Sequence, residues 1–149
     1  MAQTTGGMSG RNLYVEFGTN GSSYTDCSGF SNMVSVDGGD RATGTQTTAD
    51  GDTQILTRGK RDTFKVKATF IYTEGASDVA TAARTAWRAG TDFYLRWAPK
   101  SNTTGNTRYS TTACTVVNGV FPEVDTSKGD PLVVEIELEC ADITDAAIP

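Results

Sequence analysis

The clearest pattern in the chain is Leu132-Val133-Val134-Glu135-Ile136-Glu137-Leu138-Glu139-Cys140. Val134, Ile136, Leu138 and Cys140 recur at every second position, and Glu135, Glu137 and Glu139 fill the positions between. Side chains alternate across a strand, so the run predicts a half-buried β-strand with one apolar and one acidic face. Like charges in one row repel and need partners. Residues 63–72 offer them: Phe64, Val66, Ala68, Phe70 and Tyr72 share one face, and Lys65 and Lys67 share the other.

The same reading gives the rest of the chain. Leu13, Val15 and Phe17 alternate with Tyr14 and Glu16 as a first strand, ended by the turn signal Gly18-Thr19-Asn20-Gly21. Residues 24–30 are ambiguous, and Met33-Val34-Ser35-Val36-Asp37 predicts another strand. Between residues 40 and 61 Gly, Thr, Asp, Arg and Gln dominate, and Ile55 and Leu56 are the large apolar residues. So long a polar connection reads as an extended loop or arm, or a loose hairpin about Asp50-Gly51-Asp52. Residues 78–89 predict the one convincing helix, with Ser77 as N-cap, Asp78 at the positive end of its dipole, Val79, Ala83, Ala86 and Trp87 on one face, and Gly90 as the stop. Strands are expected over 92–98, 108–117 and 120–124, the last two joined at a hairpin signal, Asn118-Gly119. The order of elements predicts a mainly β fold, an antiparallel sandwich or barrel with one helix packed on it. Residues 11–149 form one domain, preceded by a flexible arm, 1–10, rich in Gly, Thr and Ser.

Composition sharpens this picture. A length of 149 residues suits a single core. Threonine makes up about one residue in six, which favours strands and turns over helices. A net charge of −5 disfavours binding nucleic acid by charge attraction. The chain has no histidine, the commonest general base and zinc ligand. Cys27, Cys114 and Cys140 are odd in number and far apart, and read as small hydrophobes in a reducing compartment. No apolar run approaches the ~20 residues of a membrane span, and the N-terminus lacks the basic and apolar regions of a signal peptide. These features point to manufacture in a cytoplasm without membrane association.

Candidate chemistry is sparse. Asp37-Gly38-Gly39-Asp40 and Asp50-Gly51-Asp52 lack the spacing of a calcium loop and read as turns. Gly7-Met8-Ser9-Gly10 is not a nucleophile elbow, and no phosphate-binding or dinucleotide motif occurs. Trp87 and Trp97 could form a stacking platform, but core packing explains them more simply. No group of residues makes a catalytic constellation. The expectation is a protein that is not an enzyme and has no cofactor or metal.

Several textures then combine. Gly59-Lys60-Arg61 and the strand ending Phe70-Ile71-Tyr72-Thr73-Glu74 precede one alanine-rich helix. Trp87-Arg88-Ala89-Gly90, Tyr94-Leu95-Arg96-Trp97-Ala98-Pro99, Gly105-Asn106-Thr107-Arg108-Tyr109-Ser110, Val120-Phe121-Pro122 and Gly129-Asp130 follow in order. From about Arg11 to Thr144 the chain resembles the major tail protein, or tail tube protein, of long-tailed, siphophage-type bacteriophages. The resemblance implies a structural virion protein whose subunits form rings, usually hexameric, stacked into a hollow tube. Sheets of neighbouring subunits join into an inner barrel through which double-stranded DNA passes without specific binding. It further implies tape-measure, tail-terminator and baseplate partners, and a subunit assembled in the host cytoplasm and carried in the virion tail.

Within that resemblance Glu135, Glu137 and Glu139 are expected to line the lumen, tempered by Lys65 and Lys67. The long loop would reach the adjacent ring, carrying Asp40, Arg41, Asp50, Asp52, Arg58 and Lys60, and would be mobile in a free subunit. The competing expectation is a monomeric β-sandwich binding module, such as a decoration or adhesion domain. There the acidic row is an ordinary solvated face. Self-association separates the two.

Overall fold

The computed structural model describes residues 6–149, so the first half of the expected N-terminal arm lies outside the described residues. The fold is mainly β, as expected: two antiparallel sheets face each other, with one α-helix packed against the four-stranded sheet.

A five-stranded sheet contains β1 (Tyr14–Gly18), β2 (Thr25–Asp26), β7 (Tyr94–Ala98), β8 (Thr107–Thr111) and β11 (Ile143–Ala147), in the order β11-β8-β7-β1-β2. A four-stranded sheet contains β3 (Ser31–Gly38), β6 (Phe64–Ile71), β9 (Cys114–Val116) and β10 (Val133–Cys140), in the order β3-β6-β10-β9. The remaining strands, β4 (Arg41–Gln46) and β5 (Ile55–Arg61), pair only with each other.

The alternation in β6 and β10 builds the core. Val66, Ala68 and Phe70 from one and Val134, Ile136, Leu138 and Cys140 from the other are buried against Val15, Phe17, Phe93 and Leu95 of the opposite layer. Phe17 and Phe93 stack with centroids 5.9 Å apart. Helix α1 (Val79–Ala89) covers the β9–β10 side of the four-stranded sheet with Val79, Ala80, Ala83 and Ala86. Its small alanines let the helix backbone approach the sheet closely, and Gly90 closes it at φ +66, where an L side chain would be strained. Phe70 is fully buried at the centre of this arrangement. Phe70→Ala should therefore lower stability by about 3–5 kcal/mol, read as a shift of the urea midpoint with unchanged slope.

The three cysteines are buried and unpaired, and each thiol is pushed up chiefly by burial, Cys27 and Cys114 to about 12. Two corners carry the chain between the layers. One follows β8 at Thr112, and the other follows β10 at Asp142. They are bonded to each other: Thr112 N–H donates to the Asp142 carbonyl at 3.0 Å, and Asp142 N–H donates to Thr112 Oγ1 at 3.2 Å.

Of the two readings of the long polar connection, the hairpin about Asp50-Gly51-Asp52 is the one the structure shows: β4 and β5 pair and turn through residues 47–54. Several other expectations are corrected here. Residues 108–117 form two strands in different sheets, because the chain turns the corner at Thr112. Asn118-Gly119 makes no hairpin and residues 120–124 make no strand. Instead Asn118 clasps β10 with its side chain, donating to the Glu135 carbonyl at 2.7 Å and accepting from Glu137 N–H at 3.1 Å. Val120 then turns inward at φ +52, a rare conformation for a β-branched residue. Its buried carbonyl accepts two hydrogen bonds from Arg84. The helix N-cap is Asp78, not Ser77, and its carboxylate accepts from Thr73 and from Gly75 N–H rather than capping the helix. Trp97 lies in the core, but Trp87 is 38% exposed and meets Phe121 edge-on.

Candidate functional site

The outward face of the four-stranded sheet is set by strict cross-strand register. Glu137 lies opposite Lys67 and Glu139 opposite Lys65, while Glu135 faces Thr69. On the other flank of β6, Ser35 pairs with Lys67 and Asp37 with Lys65. The sheet thus gathers Glu135, Glu137, Glu139, Lys65 and Lys67 on one exposed face and adds Asp37, which the sequence reading had placed at the end of a strand but not in the charged face. The signal for Asp37 was present: Val34 and Val36 alternate with Ser35 and Asp37.

Four carboxylates against two ammonium groups leave this face negative. Lys67 Nζ and Glu137 Oε1 are 3.5 Å apart, and Thr63 Oγ1 donates to Glu139 Oε1 at 2.7 Å. Both Lys67 and Glu137 are well exposed, so the pair contributes at most about 1 kcal/mol. The row is therefore a charge pattern rather than a stabilising network. Toward its other end the face becomes apolar, with Met33, Ile71 and Val133 partly exposed.

Beside this face the strand β3 ends the sheet. All eight of its residues lie on an edge with no strand partner among the described residues, and it contains neither lysine nor proline. Such an edge is a template for another strand.

The hairpin expected to make contacts holds Arg41 in β4, Arg58 and Lys60 in β5, Asp40 at its base, and Asp50 and Asp52 in its turn. Every residue of both strands is exposed. At its root Arg61 lies 3.7 Å from Asp142, and Arg41 donates to the Gly59 carbonyl at 3.0 Å.

A second polar cluster, on the outer face of the five-stranded sheet, is internally satisfied. Arg96 pairs with the nearly buried Glu16 and lies 3.7 Å from the centre of the Tyr24 ring. Tyr14 donates to Glu16 Oε1 at 2.8 Å, and burial followed by the Glu16 carboxylate pushes its phenol up to about 12. The Arg96–Glu16 pair ties β1 to β7 across the sheet. Among the described residues no three His, Cys, Asp or Glu side chains are placed to hold a metal ion. No described helix is long and apolar enough to cross a membrane.

No protein-family model matches the chain, and no curated protein matches it. Solved structures do. A chain of the sheath–tube complex of an extracellular contractile injection system, in its extended state, superposes with a TM-score of 0.66 at 15% identity, covering 97% of this chain and 94% of that one. A chain of the six-fold symmetrised baseplate of the anti-feeding prophage gives 0.68 at 10% identity, covering 99% of both. A chain from the tail of an empty gene transfer agent particle, with C6 symmetry, gives 0.69 at 10% identity, covering 95% of this chain and 100% of that one. The protein has the fold these tail and injection-system chains share, matched almost from end to end.

Proposed function

We propose that this chain is a structural subunit of a tail tube, carried by a long-tailed bacteriophage or a phage-like particle. Subunits close into rings of six, and the rings stack into a hollow tube. The charged face of the four-stranded sheet lines the lumen, where Glu135, Glu137, Glu139 and Asp37 repel the DNA backbone and Lys65 and Lys67 moderate the field. Salt screens that repulsion beyond about 8 Å at physiological ionic strength, so it acts on DNA that passes close to the wall of a narrow channel. The hairpin from Arg41 to Arg61 reaches the next ring, and terminator, tape-measure and baseplate proteins meet the tube at its ends and within it.

The observation that carries this reading is the eight-residue edge of β3 beside the charged face, which has no strand partner among the described residues. Joining that edge to a neighbour's sheet removes an aggregation hazard and continues the charged surface around a closed wall. The similar chains come from a sheath–tube complex, a baseplate and a tail, two of them in six-fold assemblies, which supports the ring size.

Negative-stain electron microscopy of the purified protein at rising concentration tests the proposal. Stacked rings or tubes with a stain-filled centre are expected. A particle that stays monomeric, even when seeded with a tail-tip complex, would favour the monomeric binding module instead.

A further inference from the structure

The sandwich has an unfilled place. Between β3 and β6 on one side and β7, β8 and β11 on the other lies an open slot of about 350 Å³. Val36, Phe64, Trp97, Tyr109 and Ile143 line it, with Asp145 as its one charged group. Val36 and Tyr109 point toward the inner layer yet remain 43% and 36% exposed. Asp145 takes part in none of the ion pairs among the described residues.

The hairpin carries exposed apolar residues. Ile55 and Leu56 are 53% and 61% exposed on a hairpin whose strands pair only with each other. Leu56 and Arg58 are two residues apart in a regular stretch of β5, opposite Thr45 and Thr43, and so share a face. Arg58 is in no ion pair among the described residues. The strands of the hairpin contain Arg41, Arg58, Lys60 and Arg61 and no carboxylate, in a chain of net charge −5. Another copy of this acidic chain is thus an electrostatically suited partner.

We infer that the slot receives Leu56 of a second copy, whose Arg58 pairs with Asp145 at the rim. The inference rests on the tube reading above and names the seat of the hairpin within it. A chain cannot fill its own slot. Arg61 is held at Asp142, beside the slot residue Ile143, and β5 carries Leu56 about 16 Å farther along an extended backbone. Donor and acceptor are different surfaces of one chain, so the contact is heterologous. It does not close on itself between two copies, and it repeats from each copy to the next.

The test is a charge swap. Arg58→Glu and Asp145→Arg should each raise the critical concentration for tube formation at least about tenfold, measured by sedimentation and electron microscopy. The double variant should recover most of the loss, and Leu56→Gln should resemble the single variants. All three positions are exposed, so the melting temperature of each unassembled subunit should not move. Wild-type tubes with single variants that assemble equally well, or a double variant that recovers nothing, would overturn the seat and leave the tube reading standing. A wild type that never assembles, even when seeded, overturns both.

Discussion

Cutting the hairpin short should give a folded subunit that no longer polymerises. Gly44 and Thr57 face each other across the β4–β5 ladder, so residues 45–56 can be replaced by Asn-Gly, a pair suited to a two-residue turn. Every strand residue removed is exposed and none belongs to the core, so the stability change should stay within about 0.5 kcal/mol. Assembly is another matter. A two-stranded hairpin alone is marginally stable in water, and this one presents Ile55 and Leu56 largely to solvent. If the hairpin joins the rings as proposed, losing it should abolish long tubes while circular dichroism and the melting curve remain those of the parent. Long tubes formed by the shortened chain would remove the hairpin from the assembly mechanism.

Reversing the acidic row should turn a repellent channel into a retentive one. In the triple variant Glu135→Lys, Glu137→Lys, Glu139→Lys, the outward face changes from four carboxylates and two ammonium groups to one carboxylate, Asp37, and five ammonium groups. New lysines opposite Lys65 and Lys67 repel them, at a cost of roughly 1 kcal/mol per opposed pair, which the buried core can tolerate. The expected result is tubes of normal length that hold DNA at low salt and release it as salt rises, the signature of phosphate contacts. Wild-type tubes should hold none in either condition. Triple-variant tubes that assemble and pass DNA as the wild type does would show that these side chains do not face the lumen.

How much of this was legible in the sequence depends on what each residue is paired with. The faces of β6 and β10 were readable because both alternate fully, with one row buried and one row charged. Strand β11 was not, since Ile143-Thr144-Asp145-Ala146-Ala147 has one large apolar residue. Its strand state comes from the ladder it forms with β8, from Ile143 opposite Thr111 to Ala147 opposite Thr107. The hairpin strands were hidden for a similar reason: with no buried face they carry no hydrophobic period, and Thr, Arg and Gly in register supply the pairing. Val120 was read as a strand residue because it follows the hairpin signal Asn118-Gly119. Two bonds from Arg84, 36 residues earlier, hold it in a conformation that local preference would reject. Of the site, the charged row was legible from alternation, whereas the slot was not. Its walls come from residues 36, 64, 97, 109, 143 and 145, which no short window of sequence brings together.

The buried thiols also make the protein convenient to label. With Cys27 and Cys114 pushed up to about 12 and Cys140 also raised, few of the native sulfurs are ionised near neutrality. For a pKa near 12 the thiolate fraction at pH 8 is on the order of one in ten thousand. A cysteine introduced at an exposed position such as Thr57 or Lys60 would be the fast-reacting thiol, so a maleimide dye could be placed on the arm without first removing the native residues. Fluorescence from that dye could then follow each subunit from solution into a growing polymer.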